Sequence, residues 1–238
     1  MTSDQLIFPK TESWKIFNLI SNRYDFLNRL LSFGLDIRWR NALLQFIPGT
    51  PNLKLLDLAT GTADVIITIV EKKPNITSAI GLDMADEMLK IGQAKVDKKE
   101  MSSKITLQHG DAQKLPFNDN TFDCLTIAFG IRNIPDLRRV MIEMFRVTKP
   151  GGRALILEFS KPENPLLRGG YLLYLRVFVP ILGFLFSGNY RAYKYLNQTI
   201  EQFPYGDQFC KILKQMGFKN IQARPLLGGV ATIYVGKK

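Results

Sequence analysis

The chain has 238 residues, enough for one domain with a proper core or for a domain carrying a cap, and 46% of them are hydrophobic, which excludes a disordered chain. Cys124 and Cys210 form no CxxC pair and His109 is the only histidine, so no usual zinc cluster and no disulfide framework can be written, which points to no metal and to a reducing, cytosolic compartment. The net charge of +11 is unevenly placed: residues 1–50 carry 6 Lys+Arg against 4 Asp+Glu, residues 51–160 carry 15 against 14, and residues 161–238 carry 11 against 3, so the last third could face phosphate on nucleic acid or on a membrane surface.

Residues 1–12 are polar and lack the apolar run of a secretory signal. Residues 12–33 read as a helix: Ile16, Ile20, Tyr24, Leu27 and Leu31 recur at three- and four-residue spacing until Gly34 stops the run. A second short helix over 36–46 completes an N-terminal helical lid, residues 1–50. Strands are then expected over 53–59, 77–83, 104–110, 122–130 and 149–159, the last entered through a Gly-Gly turn. Helices are expected between them over 63–72, 85–97 and 135–147. This alternation predicts an α/β, doubly wound, Rossmann-like core over 51–160, its sheet mostly parallel with helices on both faces. Residues 161–200 interrupt the pattern as an apolar helical cap. Residues 201–238 return to it, with a helix over 206–216 and strands over 218–225 and 229–235. The gap between these two is too short for a crossover, so one strand of a seven-stranded sheet should run antiparallel.

The stretch LLDLATGTAD, residues 55–64, ends an apolar strand at Asp57, turns through Gly61 and opens a helix at Asp64. A dinucleotide loop needs three glycines and places pyrophosphate over the helix start; this loop has one, and two carboxylates flank it. Those charges favour a cationic ligand. S-adenosylmethionine has a sulfonium and an ammonium and no phosphate, and Gly61 lets the backbone approach it closely. Asp83 ends the second strand, where a carboxylate can accept from both ribose hydroxyls; Met84 beside it belongs to the same site. Asp111 follows the third strand, placed to accept from the adenine amino group, with Ala112 offering backbone contacts. Each acid alone could be a cap or turn residue. Three at successive strand ends, where α/β sheets bind ligands, form a site.

The loop, as Asp57-x-Ala59-x-Gly61-x-Ala63, resembles that of class I methyltransferases, with two small residues where glycines are usual. The stretches RYDFLNRLLSFGLDIRWR (23–40), DNTFDCLTIAFGIRNIPD (119–136), VTKPGGRALILEFSKP (147–162) and YKYLNQTI (193–200) go further. With LDLATGTAD they resemble the ubiquinone/menaquinone biosynthesis C-methyltransferases from about residue 14 onward. The resemblance implies methyl transfer from S-adenosylmethionine to a ring carbon of a prenylated quinol, usually demethylmenaquinol to menaquinol. It implies cofactor contacts at Thr62, Asp83, Asp111 and Ala112. Where the family commonly has serine this chain has Ala128, so a side-chain hydrogen bond is absent there.

Methyl transfer needs aligned reactants, excluded water and a route for protons. Arg132 and Asn133, in FGIRNI after the fourth strand, are the catalytic candidates: Arg132 to stabilise a developing phenolate, Asn133 to bond a quinol oxygen. Arginine is too basic to take the proton, so an activated water is expected to do so. A salt bridge from Arg132 to Asp136 is the structural alternative. Tyr24, Asn28, Tyr193 and Tyr195 are candidate lid or quinol contacts, with buried structural tyrosines as the competing reading. The run YLLYLRVFVPILGFLF (171–186) is apolar on every face but spans 16 residues, short of the about 20 that cross a bilayer. It reads either as a buried helix pair or homodimer interface, or as a prenyl-binding cap in transient contact with the membrane surface. A methyltransferase for RNA or another small molecule is a rival, although the RNA-specific motifs are missing and no nucleic acid partner is expected. A non-catalytic membrane-associated partner with the same fold is the other.

Overall fold

The computed structural model describes residues 6–187 and 189–238. Its centre is a seven-stranded sheet in the order β3-β2-β1-β4-β5-β7-β6. The strands are β1 (Leu53–Leu58), β2 (Ile76–Asp83), β3 (Ile105–His109), β4 (Phe122–Ala128), β5 (Thr148–Phe159), β6 (Lys219–Leu226) and β7 (Ala231–Lys237). Strands β1 to β5 pair in parallel, and β7 runs antiparallel to both β5 and β6, as the short connection before it required. Five of the six residues of β1 are buried, as expected of a central strand covered on both faces.

Helices α3 (Asp64–Lys72), α4 (Asp86–Lys98) and α5 (Leu137–Val147) make the crossovers, and α9 (Asp207–Gln215) precedes β6. Apolar side chains of β1, β4 and β5 divide between two core layers. Leu55, Cys124 and Leu155 pack on the face of α3, while Leu56, Leu125 and Ile156 pack on the face of α5 and α9. The expected Gly-Gly turn is instead a bulge inside β5. Thr148 lies opposite Phe122 but Arg153 opposite Cys124, and Gly151 takes up the extra chain with φ 80°.

The N-terminal lid is α1 (Ser13–Leu31) and α2 (Leu35–Leu43), joined where Phe33 and Gly34 both adopt positive φ. The cap begins with α6 (Pro165–Leu173), whose first turn is held by the Asn164 side chain accepting from Leu166 N and Leu167 N. A π-helical turn (Tyr174–Phe178) leads into α7 (Val179–Ser187), and α8 (Tyr190–Gln202) follows as a separate half-buried helix. The helix that contains residues 171–186 is therefore longer than that 16-residue run. The helical run is Pro165–Phe186, 22 residues, long and apolar enough to cross a membrane by length and composition alone, which for one such helix is weak evidence. It is also a wall of the domain: Leu175 and Val179 are buried in a cluster with Ile16, Leu27, Tyr193 and Tyr195.

The strand order reverses between β1 and β4, so a crevice opens at their carboxyl ends. The lid and the cap close over it.

Candidate active site

Strand β1 delivers Asp57 beside Thr126 of β4. The Asp57 carboxylate is buried and accepts from the hydroxyls of Thr60 (2.7 Å) and Thr126 (2.5 Å). Burial pushes its pKa up from 3.8 to about 6, against the pull of those two hydroxyls.

The loop that follows turns through three positive φ angles: Ala59 at 49°, Gly61 at 55° and Ala63 at 64°. The two alanines thus hold left-handed conformations that glycine would adopt without cost. They fit because glycines face them. A Cβ on Gly130 would lie 2.4 Å from that of Ala59, and one on Gly92 would lie 3.1 Å from that of Ala63. At Gly61 a Cβ would meet no atom within 4 Å, so its backbone lies open to the crevice.

Two cavities meet at this loop. The first, a cleft of about 1000 Å³ counted to its mouth, is lined by Gly61, Asp83, Met84, Asp111, Ala112 and Ala128, together with Met88, Gly130 and Trp14. Asp83 accepts from Gly61 N (2.8 Å) and Ala85 N (2.9 Å), so its carboxylate is held in place with lone pairs still free. Burial raises its pKa as well. Asp111 accepts from Gln113 N (2.8 Å), and Gln113 forms part of the same wall. The expected cofactor residues at the ends of β2 and β3, Asp83, Met84, Asp111 and Ala112, therefore line one cleft with Gly61 and Ala128. Its donors and acceptors fit a nucleoside with an amino-acid arm: paired acids at the strand ends, and an open backbone at Gly61.

Three of the sequence expectations change: Asp57, near the end of β1, lines the second cavity and not this cleft. Asp64 is not a free carboxylate framing a cation. It is paired with Arg40 (2.5 Å) and Lys95 (2.6 Å), and these cations hold its pKa down. Thr62 lies in the wall of the second cavity rather than the cleft, and its hydroxyl donates to Asp25 of α1 (2.6 Å). Asp25 also binds Lys95 (2.5 Å), and Arg40 continues the chain of charges to Asp36 (3.1 Å). This relay ties the lid helices to the cofactor loop. Sequence reading missed it because its members are separated by up to 70 residues along the chain.

The second cavity is larger, about 1620 Å³ to its mouth, and mostly apolar. Tyr24, Asn28, Arg132, Asn133, Tyr193 and Tyr195 all line it, so every catalytic and quinol candidate converges there. Tyr24, Phe129, Ala128, Gly61 and Asn133 border both cavities. Arg132 and Asn133 sit on a 3-10 turn (Ile131–Asn133) just beyond β4. The salt bridge expected for Arg132 goes to Glu158 of β5 (2.8 Å), not to Asp136, which caps α5 by accepting from Arg139 N. Glu158 was missed, although a lone acid in the apolar strand RALILEF signals a buried partner.

Five residues in the walls of this cavity hold a buried polar atom without a hydrogen-bond partner: Asp36 Oδ2, which faces Arg40 in an ion pair, Arg132 Nε, Asn133 Oδ1 and the hydroxyls of Tyr171 and Tyr195. Unpaired buried groups of this kind are costly, and they mark where a polar ligand belongs. Tyr171 had no signal in the sequence, where it reads as one more apolar residue of the cap. Among the tyrosines, burial pushes the pKa of Tyr24 up and that of Tyr195 to about 12, so neither is a base at neutral pH. Tyr193 packs its ring where a Cβ on Gly183 would stand, which shows a packing role besides its place in the wall.

Comparison with known proteins decides the family. The model of the ubiE/COQ5 methyltransferase family matches residues 9–238. The ubiquinone/menaquinone biosynthesis C-methyltransferase UbiE of Geotalea daltonii is 44% identical over 224 residues, covering 94% of this chain and 95% of that protein. The chain belongs to the ubiE/COQ5 methyltransferase family. A demethylmenaquinone methyltransferase of Bacillus cereus is 37% identical, covering 94% of each chain. Among solved structures, an S-adenosylmethionine-dependent methyltransferase from Thermotoga maritima superimposes with a TM-score of 0.66 at 18% identity, over 94% of this chain and 99% of that one, which shows the fold.

Proposed function

We propose that this chain transfers a methyl group from S-adenosylmethionine to a ring carbon of a prenylated quinol, demethylmenaquinol in the first instance. The observation that carries this reading is the junction of the two cavities. A cleft lined by two strand-end acids, Asp83 and Asp111, meets at Gly61, Tyr24, Phe129 and Asn133 a larger, more apolar cavity whose lining includes Asp57 and the unpaired polar groups of Arg132, Asn133 and Tyr171. A quinol ring with two oxygens and a hydrocarbon tail matches that distribution.

Asp83 and Asp111 hold the nucleoside end of the cofactor, and Asp57 with the open Gly61 backbone receives its amino-acid arm. The bound cofactor supplies an electrophilic methyl on a cationic sulfur. Asn133 and Tyr171 are the groups that can bond the quinol oxygens. Arg132, held by Glu158, places a fixed positive charge beside the ring oxygen as it loses its proton. The lid excludes water by laying Phe17 and Tyr24 over both cavities.

A membrane-stored substrate also asks for a route to the bilayer. The outer face of Pro165–Phe186 carries Leu173, Val177, Ile181, Phe184 and Leu185, each more than 40% exposed. Residues 161–200 hold five Lys+Arg and one acidic residue. This combination supports a cytoplasmic protein that docks peripherally, with the helix lying in an anionic membrane surface.

The test is product formation. Purified protein is incubated with S-adenosylmethionine and demethylmenaquinol kept reduced, and menaquinone is measured by mass. Turnover is expected with the quinol and none with total RNA. Saturable cofactor binding with no turnover on naphthoquinols or benzoquinols would sink the reading. Flotation with vesicles of anionic against zwitterionic lipid tests the docking, and elution as a stable dimer that leaves vesicles unbound would assign the apolar face to a second copy.

A further inference from the structure

The apolar cavity has a mouth of specific composition. Of the residues lining it, all described, only Phe33 and Leu227 are exposed, at 79% and 56%. They come from opposite ends of the chain: Phe33 from the turn between α1 and α2, Leu227 from the turn between β6 and β7. Both are large and apolar, and both hold positive φ, 53° and 45°. Each is followed by a glycine that does the same, Gly34 at 75° and Gly228 at 63°. A bulky side chain is uncommon in this conformation, and its retention at a cavity mouth suggests a use.

The geometry points to Phe33 and Leu227 as the two lips of a portal through which the hydrocarbon tail of the substrate leaves the cavity, and so as residues that set tail preference. This rests on the reading of the acceptor as a prenylated quinol. Inside the portal the Phe33 ring lies 6.0 Å from that of Tyr174, another wall residue. Outside it the surface stays apolar: a Cβ on Gly228 would meet Leu167 at 2.7 Å, and Leu166 beside it is 87% exposed. The polar atoms that suit a quinol ring are buried, so the ring is held deep and the tail is left toward this mouth. The cofactor cleft has its own opening, where Thr11 and Pro135 are exposed, so the tail need not pass the cofactor.

The experiment compares one ring with two tails. Demethylmenaquinols with one and with many isoprene units are assayed, in one detergent, with the wild type, Leu227→Glu and Phe33→Glu. A carboxylate on either lip is solvated and leaves the core untouched, but a long tail must now pass it. The ratio of kcat/KM for the long tail over the short one is expected to fall at least about tenfold in each variant. The calorimetric affinity for S-adenosylmethionine serves as the folding control. An unchanged ratio would overturn the portal, and so would equal losses on both substrates, which mark a structural role. A wild type that methylates neither quinol refutes the acceptor class itself and removes the portal with it.

Discussion

The Arg132 guanidinium, in the wall of the apolar cavity, meets the Glu158 carboxylate at 2.8 Å, with side chains 4% and 0% exposed. Neither charge has water to fall back on, and the strand acid also accepts from Phe159 N. Glu158→Gln leaves the arginine uncompensated and is expected to cost about 3 kcal/mol in denaturant unfolding. Arg132→Met with Glu158→Gln removes both charges and should recover most of that stability. Turnover should stay down by about 10²-fold in the double variant, because the fixed charge beside the developing phenolate is gone. Recovery of stability and turnover together would show that the pair only supports the fold.

Asp57 gives a pH dependence whose sign can be worked out. Its pKa rises from 3.8 to about 6 on folding, so between these values the folded protein keeps a proton that the unfolded chain has lost. Stability attributable to this group is therefore lost as pH rises from about 4 to about 6, by about 3 kcal/mol in full. Asp57→Asn should unfold at higher temperature than wild type at pH 8, with the gap closing below pH 4. A gap that widens toward acid would contradict the assignment.

The same carboxylate should release its proton when a cation arrives. Near pH 6, binding of S-adenosylmethionine favours the charged form of Asp57, so the observed heat should vary with the ionisation heat of the buffer. At pH 8 the group is already charged and the buffer effect should vanish. Titrations in two buffers at each pH check this.

Ala59 and Gly130 are expected to be coupled. Gly130→Ala alone forces two Cβ atoms to 2.4 Å and should cost about 2 kcal/mol. In an Ala59→Gly background the obstruction disappears and the left-handed φ of 49° is relieved, so the same change should cost at least about 1 kcal/mol less. Additive effects in the double-mutant cycle would mean that the loop shifts to avoid the contact.

Asp25→Ala cuts the relay between the lid and the cofactor loop, removing its bonds to Thr62 and Lys95. The core strands do not depend on it. Affinity for S-adenosylmethionine is expected to fall about tenfold, with a loss of stability near 1 kcal/mol, the range of part-exposed pairs. A large drop in stability with normal affinity would make the relay a fold element only.

The sequence by itself determined the elements and their order, and it placed the candidate cofactor residues at the strand ends. Periods of two and 3.6 and the length of the connections are local properties, so β1 to β7 and the three crossover helices appear within a few residues of where the pattern puts them. The positions of Asp57, Gly61, Asp83, Asp111 and Ala112 were readable for the same reason, since each ends a strand or lies in the turn after it, but which cavity each one lines was not. Only the tertiary structure decided which charges are spent on one another. Asp64 looks free in the chain and is bound by Arg40 and Lys95; Arg132 has an acid four residues away and pairs with Glu158 across the sheet. The mouth between Phe33 and Leu227 belongs to the same class. Partner choice and the shape of empty space depend on contacts between segments far apart in the chain, and no local pattern carries them.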